Sequence, residues 1–193
     1  IVDCDWSSDV CSSDLMGSFE YGSYVYVWTW LLLFGDIVHL GLPLTAQKFI
    51  PEYNQRGAMD LLRGYIYGSR WLTFSIGTLI ALGGAGLIRM LEGSLSQNVA
   101  MPLYLACVAL PFYAFSFMLD GIARSNNWIS LAVMPHSLLR PILILGMIGA
   151  GFALGHKFDA TGAMLVTVIA VWATSLGQLV VLNRRLAETV APG

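Results

Sequence analysis

Apolar residues fall along this chain in five long runs separated by short polar passages. The runs predict membrane spans at about 21–45, 64–90, 101–121, 129–154 and 162–182. At ~1.5 Å of rise per residue each can cross a ~30 Å hydrocarbon core. Tyr21, Tyr24, Tyr26, Trp28 and Trp30 crowd the first half of the first run, as suits rings that settle at the headgroup level. The second run carries GGAG at 83–86, small residues that permit close helix approach. Pro111 lies inside the third and removes a helix hydrogen bond there. The pattern predicts an all-α, polytopic transmembrane helix bundle.

The polar passages orient the bundle. Asp36 to Gly64 leaves the first run, turns at Gly41 and Pro43, and becomes a charged passage with Lys48, Glu52, Arg56, Asp60 and Arg63. A basic passage between two apolar runs marks the cytoplasmic side. On that assignment the inner passages hold Lys48, Arg56, Arg63, Arg124, Arg184 and Arg185, against Arg89 and Lys157 outside. The first run is therefore expected to travel from outside to inside.

Composition sharpens the class. Hydrophobic residues make up 56% of the chain and charged ones 11%, with a mean hydropathy of +0.68; soluble domains average about 25% charged residues. Cys4, Cys11 and Cys107 have neither disulfide nor metal-ligand spacing, so no metal or cofactor is expected. Residues 5–15 read DWSSDVCSSDL, which resembles the translation of a common sequencing-adapter primer, and Ile1 and Cys4 fit its flanking bases. The other reading is a Ser/Asp-rich tail too poor in apolar residues to fold. Residues 1–15 are accordingly set aside as non-native, leaving 16–193 as the bundle. The formal charge then moves from −2 to +2, ten basic residues against eight acidic. Met16 need not be the start of the gene.

Two blocks carry a family resemblance. The first is EYG at Glu20–Gly22 with GLPLTAQKFIPEYNQRG at Gly41–Gly57; the second is LDGIARSNNW at Leu119–Trp128 with LLRP at Leu138–Pro141. Together they resemble the bacterial oligosaccharide flippases of the MOP superfamily, the branch serving lipopolysaccharide and other polysaccharide biosynthesis. The resemblance covers Gly17 to the end. It implies a multi-pass protein of the bacterial inner membrane, not an enzyme, that moves lipid-linked oligosaccharide from the inner to the outer leaflet. Alternating access between two six-helix lobes would be its mechanism, with cationic residues meeting the sugar-pyrophosphate head. The five runs then count as five spans of a six-helix lobe, a fragment lacking its first helix and second lobe and not expected to transport alone. Membrane lipids and the oligosaccharide carrier are the implied partners; nucleic acid is not.

Charge at membrane depth marks the candidate pathway. Asp36, His39, His136 and Arg140 lie well inside the first and fourth runs, where a charged residue costs at least ~2.5–3.5 kcal/mol on insertion scales. Asp36 and Arg140 each lie ~18 Å from the cytoplasmic end, and His39 and His136 ~12–13 Å. Equal depths predict two polar rungs, Asp36 with Arg140 and His39 with His136. An ion pair that merely holds helices together is the other reading. Arg70, Asp120 and Arg124 are candidates for a cytoplasmic gate or headgroup contact. The plainer expectations are that Arg70 snorkels to the interface and that Asp120 and Asn126 belong to a polar turn.

Three further functions stay open. One is a cation-coupled multidrug extruder of the same superfamily, and another a membrane scaffold. The third is an enzyme, because DGIAR at Asp120–Arg124 resembles the metal motif of CDP-alcohol phosphatidyltransferases. Its spacing is one residue short, however, and no second aspartate pair follows, whereas magnesium or manganese sites need several carboxylates. No serine stands in a nucleophile motif near His136, so an intramembrane protease gains no support.

Overall fold

A computed structural model describes residues 18–39, 41–91, 97–154 and 159–189. Among them the chain is almost wholly helical: α1 (Ser18–Val38), α2 (Leu42–Gln55), α3 (Met59–Leu91), α4 (Gln97–Ser125), α5 (Ile129–Met134), a π-helical turn (Pro135–Leu139), α6 (Arg140–Ala153) and α7 (Ala160–Thr189). Five elements are long and apolar enough to cross a membrane: Phe19–Gln55, Met59–Leu91, Val99–Ser125, Ile129–Gly151 and Ala160–Ala187. The chain is a multi-pass membrane protein. Its outer faces carry large exposed apolar side chains such as Leu79, Leu82, Met90 and Leu145, as lipid-facing helices must.

The bundle is built around α4. Of its apolar window 61% is buried, against 22% for α3, because α1, α2, α3, α5 and α7 all pack along it. One core cluster surrounds its middle, with Val27, Leu31, Tyr113, Met164 and Val171. A second surrounds its last turns, with Ile50, Leu62, Met118, Ile122 and Leu182. Close approach rests on missing side chains. At Gly35 a Cβ would stand 2.5 Å from the Tyr113 ring, and at Gly121 it would stand 2.6 Å from the Pro43 Cα. At the opposite end from the Gly121 contact, Glu20 accepts a 2.9 Å hydrogen bond from the Ala160 N–H. A carboxylate there satisfies one of the free donors at the start of α7.

The helix ends differ from the expected spans. The charged passage after Pro43 is helix α2, with Ala46 and Ile50 buried and Lys48 and Arg56 exposed. Its apolar residues at Leu42, Ala46, Ile50 and Tyr53 follow helical spacing, so it packs on the bundle rather than looping free. Helix α3 begins at Met59, five residues before the expected start, and takes Asp60 and Arg63 into its first turns. Asp120 and Arg124 lie on α4, which runs on to Ser125, so the expected turn there starts later. Asn126 does close the helix, donating to the Ile122 carbonyl at 2.9 Å. Residues 1–15 and Lys157 lie outside the described residues.

The second core cluster joins α2, the start of α3, the end of α4, α5 and the end of α7. The passages counted as cytoplasmic therefore share one end of the bundle, where Arg185 also stands over the Trp128 ring at 5.7 Å. In a background without other cysteines, Arg56→Cys is expected to resist an impermeant thiol reagent in intact spheroplasts, and Lys157→Cys to react. Labelling of the first and not the second would invert the orientation.

Candidate functional site

Arg140 opens α6 directly after the π turn, and only 4% of it is exposed. Pro135 opens that turn, and the Arg140 N–H returns to the Pro135 carbonyl five residues back. Pro141 follows with no N–H to offer. A wide turn of this kind re-aims a side chain and is frequent at functional sites. The Arg140 guanidinium donates to Ser116 Oγ at 3.1 Å, lies 3.4 Å from His136 Nδ1, and stands 5.3 Å over the Tyr113 ring. Its Nε–H has no acceptor. Among the described residues no carboxylate lies within ion-pair distance of it.

The two expected rungs do not form as pairs. Asp36 keeps 68% of its side chain exposed, and its carboxylate lies 3.5 Å from His39 Nε2, three residues on. Tyr113 of α4 packs against Gly35 of α1 on one side and beneath Arg140 on the other. Phe117, one turn further on, lies 5.5 Å from the His39 ring and 5.2 Å from the His136 ring. An aromatic side chain of α4 stands between the two sides of each expected rung. The arithmetic assumed that the first and fourth spans were neighbours, whereas α4 comes between them.

Asp120 and Arg70 also depart from expectation. Asp120 is buried on α4 and accepts a hydrogen bond from Gln178 Nε2 of α7, which also donates to the Leu131 carbonyl at 3.3 Å. Its role is to tie α4, α5 and α7 together, not to turn a loop. Removing the donor in Gln178→Ala leaves a buried carboxyl unsatisfied, at a cost of about 1–3 kcal/mol. A lowered melting temperature in detergent is the expected reading, with Asp120→Leu/Gln178→Leu milder than Gln178→Ala. Arg124, a turn beyond Asp120, is exposed. Arg70 does not snorkel into open water. Its residue is 8% exposed, and Nη1 donates to Asn183 of α7 at 2.8 Å.

Sequence reading missed Tyr113, Ser116, Phe117, Gln178 and Asn183. Gln178 had a signal, as the one amide inside the apolar run 162–182, and a polar residue at that depth seeks a partner. Tyr113 and Phe117 had none, since aromatic residues suit lipid and core alike. Among the described residues no three His, Cys, Asp or Glu side chains gather to hold a metal ion. What the site offers is a desolvated permanent cation with a free donor, backed by a hydroxyl, an imidazole and an aromatic face. That arrangement suits an anion, above all phosphate, whose oxygens match a guanidinium fork.

No family model matches the chain, and neither a curated protein nor a solved structure matches it.

Proposed function

We propose that this chain is part of a flippase that moves a lipid-linked oligosaccharide across the bacterial inner membrane, with Arg140 meeting the pyrophosphate head. The observation that carries the reading is the burial of Arg140 without a carboxylate partner among the described residues. The buried Asp120 acts on it only from beyond ion-pair distance; a buried charge without a close counter-ion is unfavourable, and membrane proteins retain such residues where a substrate or ion passes. The resemblance of the two sequence blocks to oligosaccharide flippases supplies the class of anion. Tyr113 and Phe117 link the Arg140 and His136 side of α4 to the Asp36 and His39 side. A rocking motion of the helices that flank α4 would change how far Arg140 is open to each leaflet, as alternating access requires.

The test is complementation. The uninterrupted gene encoding these five spans is expressed in a bacterium whose own oligosaccharide flippase is deleted, and surface glycan is measured by immunoblot. Restored glycan is the expected result. Drug resistance gained without glycan would favour the multidrug extruder instead, and neither effect would remove the transport reading.

A further inference from the structure

A second cationic site lies at the end of the bundle that the Lys/Arg excess assigns to the cytoplasm. Helices α3 and α7 both pack along α4, and between them opens a cleft of about 290 Å³. Arg63, Tyr67 and Arg70 of α3 line it, with Asn183 and Leu186 of α7 opposite. The three α3 residues follow one another at four and three positions, which places them on a single helix face. Arg70 is more than nine-tenths buried, and Asn183 takes only its Nη1. Its Nε and Nη2 are buried with no acceptor. Arg63, two turns nearer the helix start, is exposed at the mouth. No carboxylate among the described residues pairs with either arginine.

Donors without acceptors, two unneutralised cations and apolar walls together describe an amphiphilic anion. We propose that this groove binds the phosphate of an anionic membrane phospholipid in the cytoplasmic leaflet. Arg70 would hold the phosphate at the groove floor, Arg63 would close over it, and the acyl chains would run along the exposed apolar faces of α3 and α7. Basic pockets between transmembrane helices on this side of a membrane favour such headgroups. A free phosphate would satisfy the arginines but leave the apolar walls uncovered, so the lipid is the better fit. The site is separate from Arg140 and does not depend on what the protein transports.

The test uses the full chain purified in detergent, with phosphatidylglycerol, phosphatidylcholine or inorganic phosphate added. Native mass spectrometry reads retained lipid, and a melting curve reads stabilisation. Phosphatidylglycerol is expected to be retained over phosphatidylcholine and to raise the melting temperature, while inorganic phosphate does not. Arg63→Gln, an exposed change that leaves the packing untouched, is expected to weaken phosphatidylglycerol retention about fivefold, the typical worth of one basic residue near an anionic surface. Arg70→Lys, which keeps the charge and loses the fork, should weaken it as well. Arg56→Gln, exposed at the end of α2 and outside the cleft, should not. Equal retention of the two lipids by the unaltered chain would overturn the proposal, as would retention unchanged in both groove variants. Stabilisation by inorganic phosphate equal to that by phosphatidylglycerol would also overturn it, by assigning the site to a free anion.

Discussion

Arg140→Gln is expected to lower glycan export by about 10- to 100-fold in the complementation assay, the scale of one hydrogen bond to a charged group, with the protein still folded and in the membrane. Glutamine keeps a polar side chain at the start of α6 but stops short of the Nη2 that contacts Ser116, and it removes the charge an anionic head would meet. Arg140→Lys is expected to recover little, since an ammonium cannot reach Ser116, His136 and a substrate oxygen in one planar fork. Asp36 gives a sharper control. Had it been the counter-ion of Arg140, losing both would cost less than losing the arginine alone. With Asp36 largely exposed and facing His39 rather than Arg140, Asp36→Ala should give Arg140→Ala no such relief. The melting temperatures of the single and double variants check this. Relief in the double variant would restore the direct pair.

Gly121→Ala is the second large effect, and it acts on the scaffold. The new methyl would lie 2.6 Å from the Pro43 Cα and 2.8 Å from the Pro43 carbonyl oxygen, closer than non-bonded atoms approach. Both contacts are backbone at the start of α2, so no side chain can swing aside. Forcing extra atoms into a packed interface costs about 1–3 kcal/mol, and here α2 would have to lift from α4. A control with the opposite sign lies on α6. Gly146 has nothing within 4 Å of its would-be Cβ, so Gly146→Ala should stabilise the helix by roughly 0.5–1 kcal/mol. Thermal unfolding in detergent compares the two. A neutral Gly121→Ala would mean that α2 does not sit against α4 as described.

The five spans were legible in the sequence because lipid imposes a crude rule: a helix in hydrocarbon is apolar over its whole length. Helix ends were less legible, since polarity was read as loop. Lys48 and Arg56 disguised α2, whose buried residues are only Ala46 and Ile50, and Asp120 disguised the last turns of α4. Both cases have the same physical cause. A charged residue can ride on a helix face that meets water, or be buried where another helix supplies a partner, as Gln178 does for Asp120. Depth was not legible by counting, because rise per residue was carried across the break between α1 and α2 and across the π turn. Neighbours were not legible. In a bilayer every apolar face is equally content against lipid or helix, so nothing along the chain announced that α4 would stand at the centre. Small residues such as Gly35 and Gly121 held that information, but only with the facing residue known.

The proposed function turns on Arg140, a buried cation with no carboxylate at ion-pair distance among the described residues, receiving a pyrophosphate-bearing lipid. Equilibrium binding of a short-chain polyprenyl pyrophosphate to the chain in phosphatidylcholine nanodiscs measures it directly, with the unphosphorylated polyprenol as comparison. Saturable binding of the pyrophosphate over the alcohol, lost in Arg140→Gln and kept in Arg63→Gln, is the expected result. Binding that Arg140→Gln leaves intact, or no preference for the pyrophosphate, would contradict it.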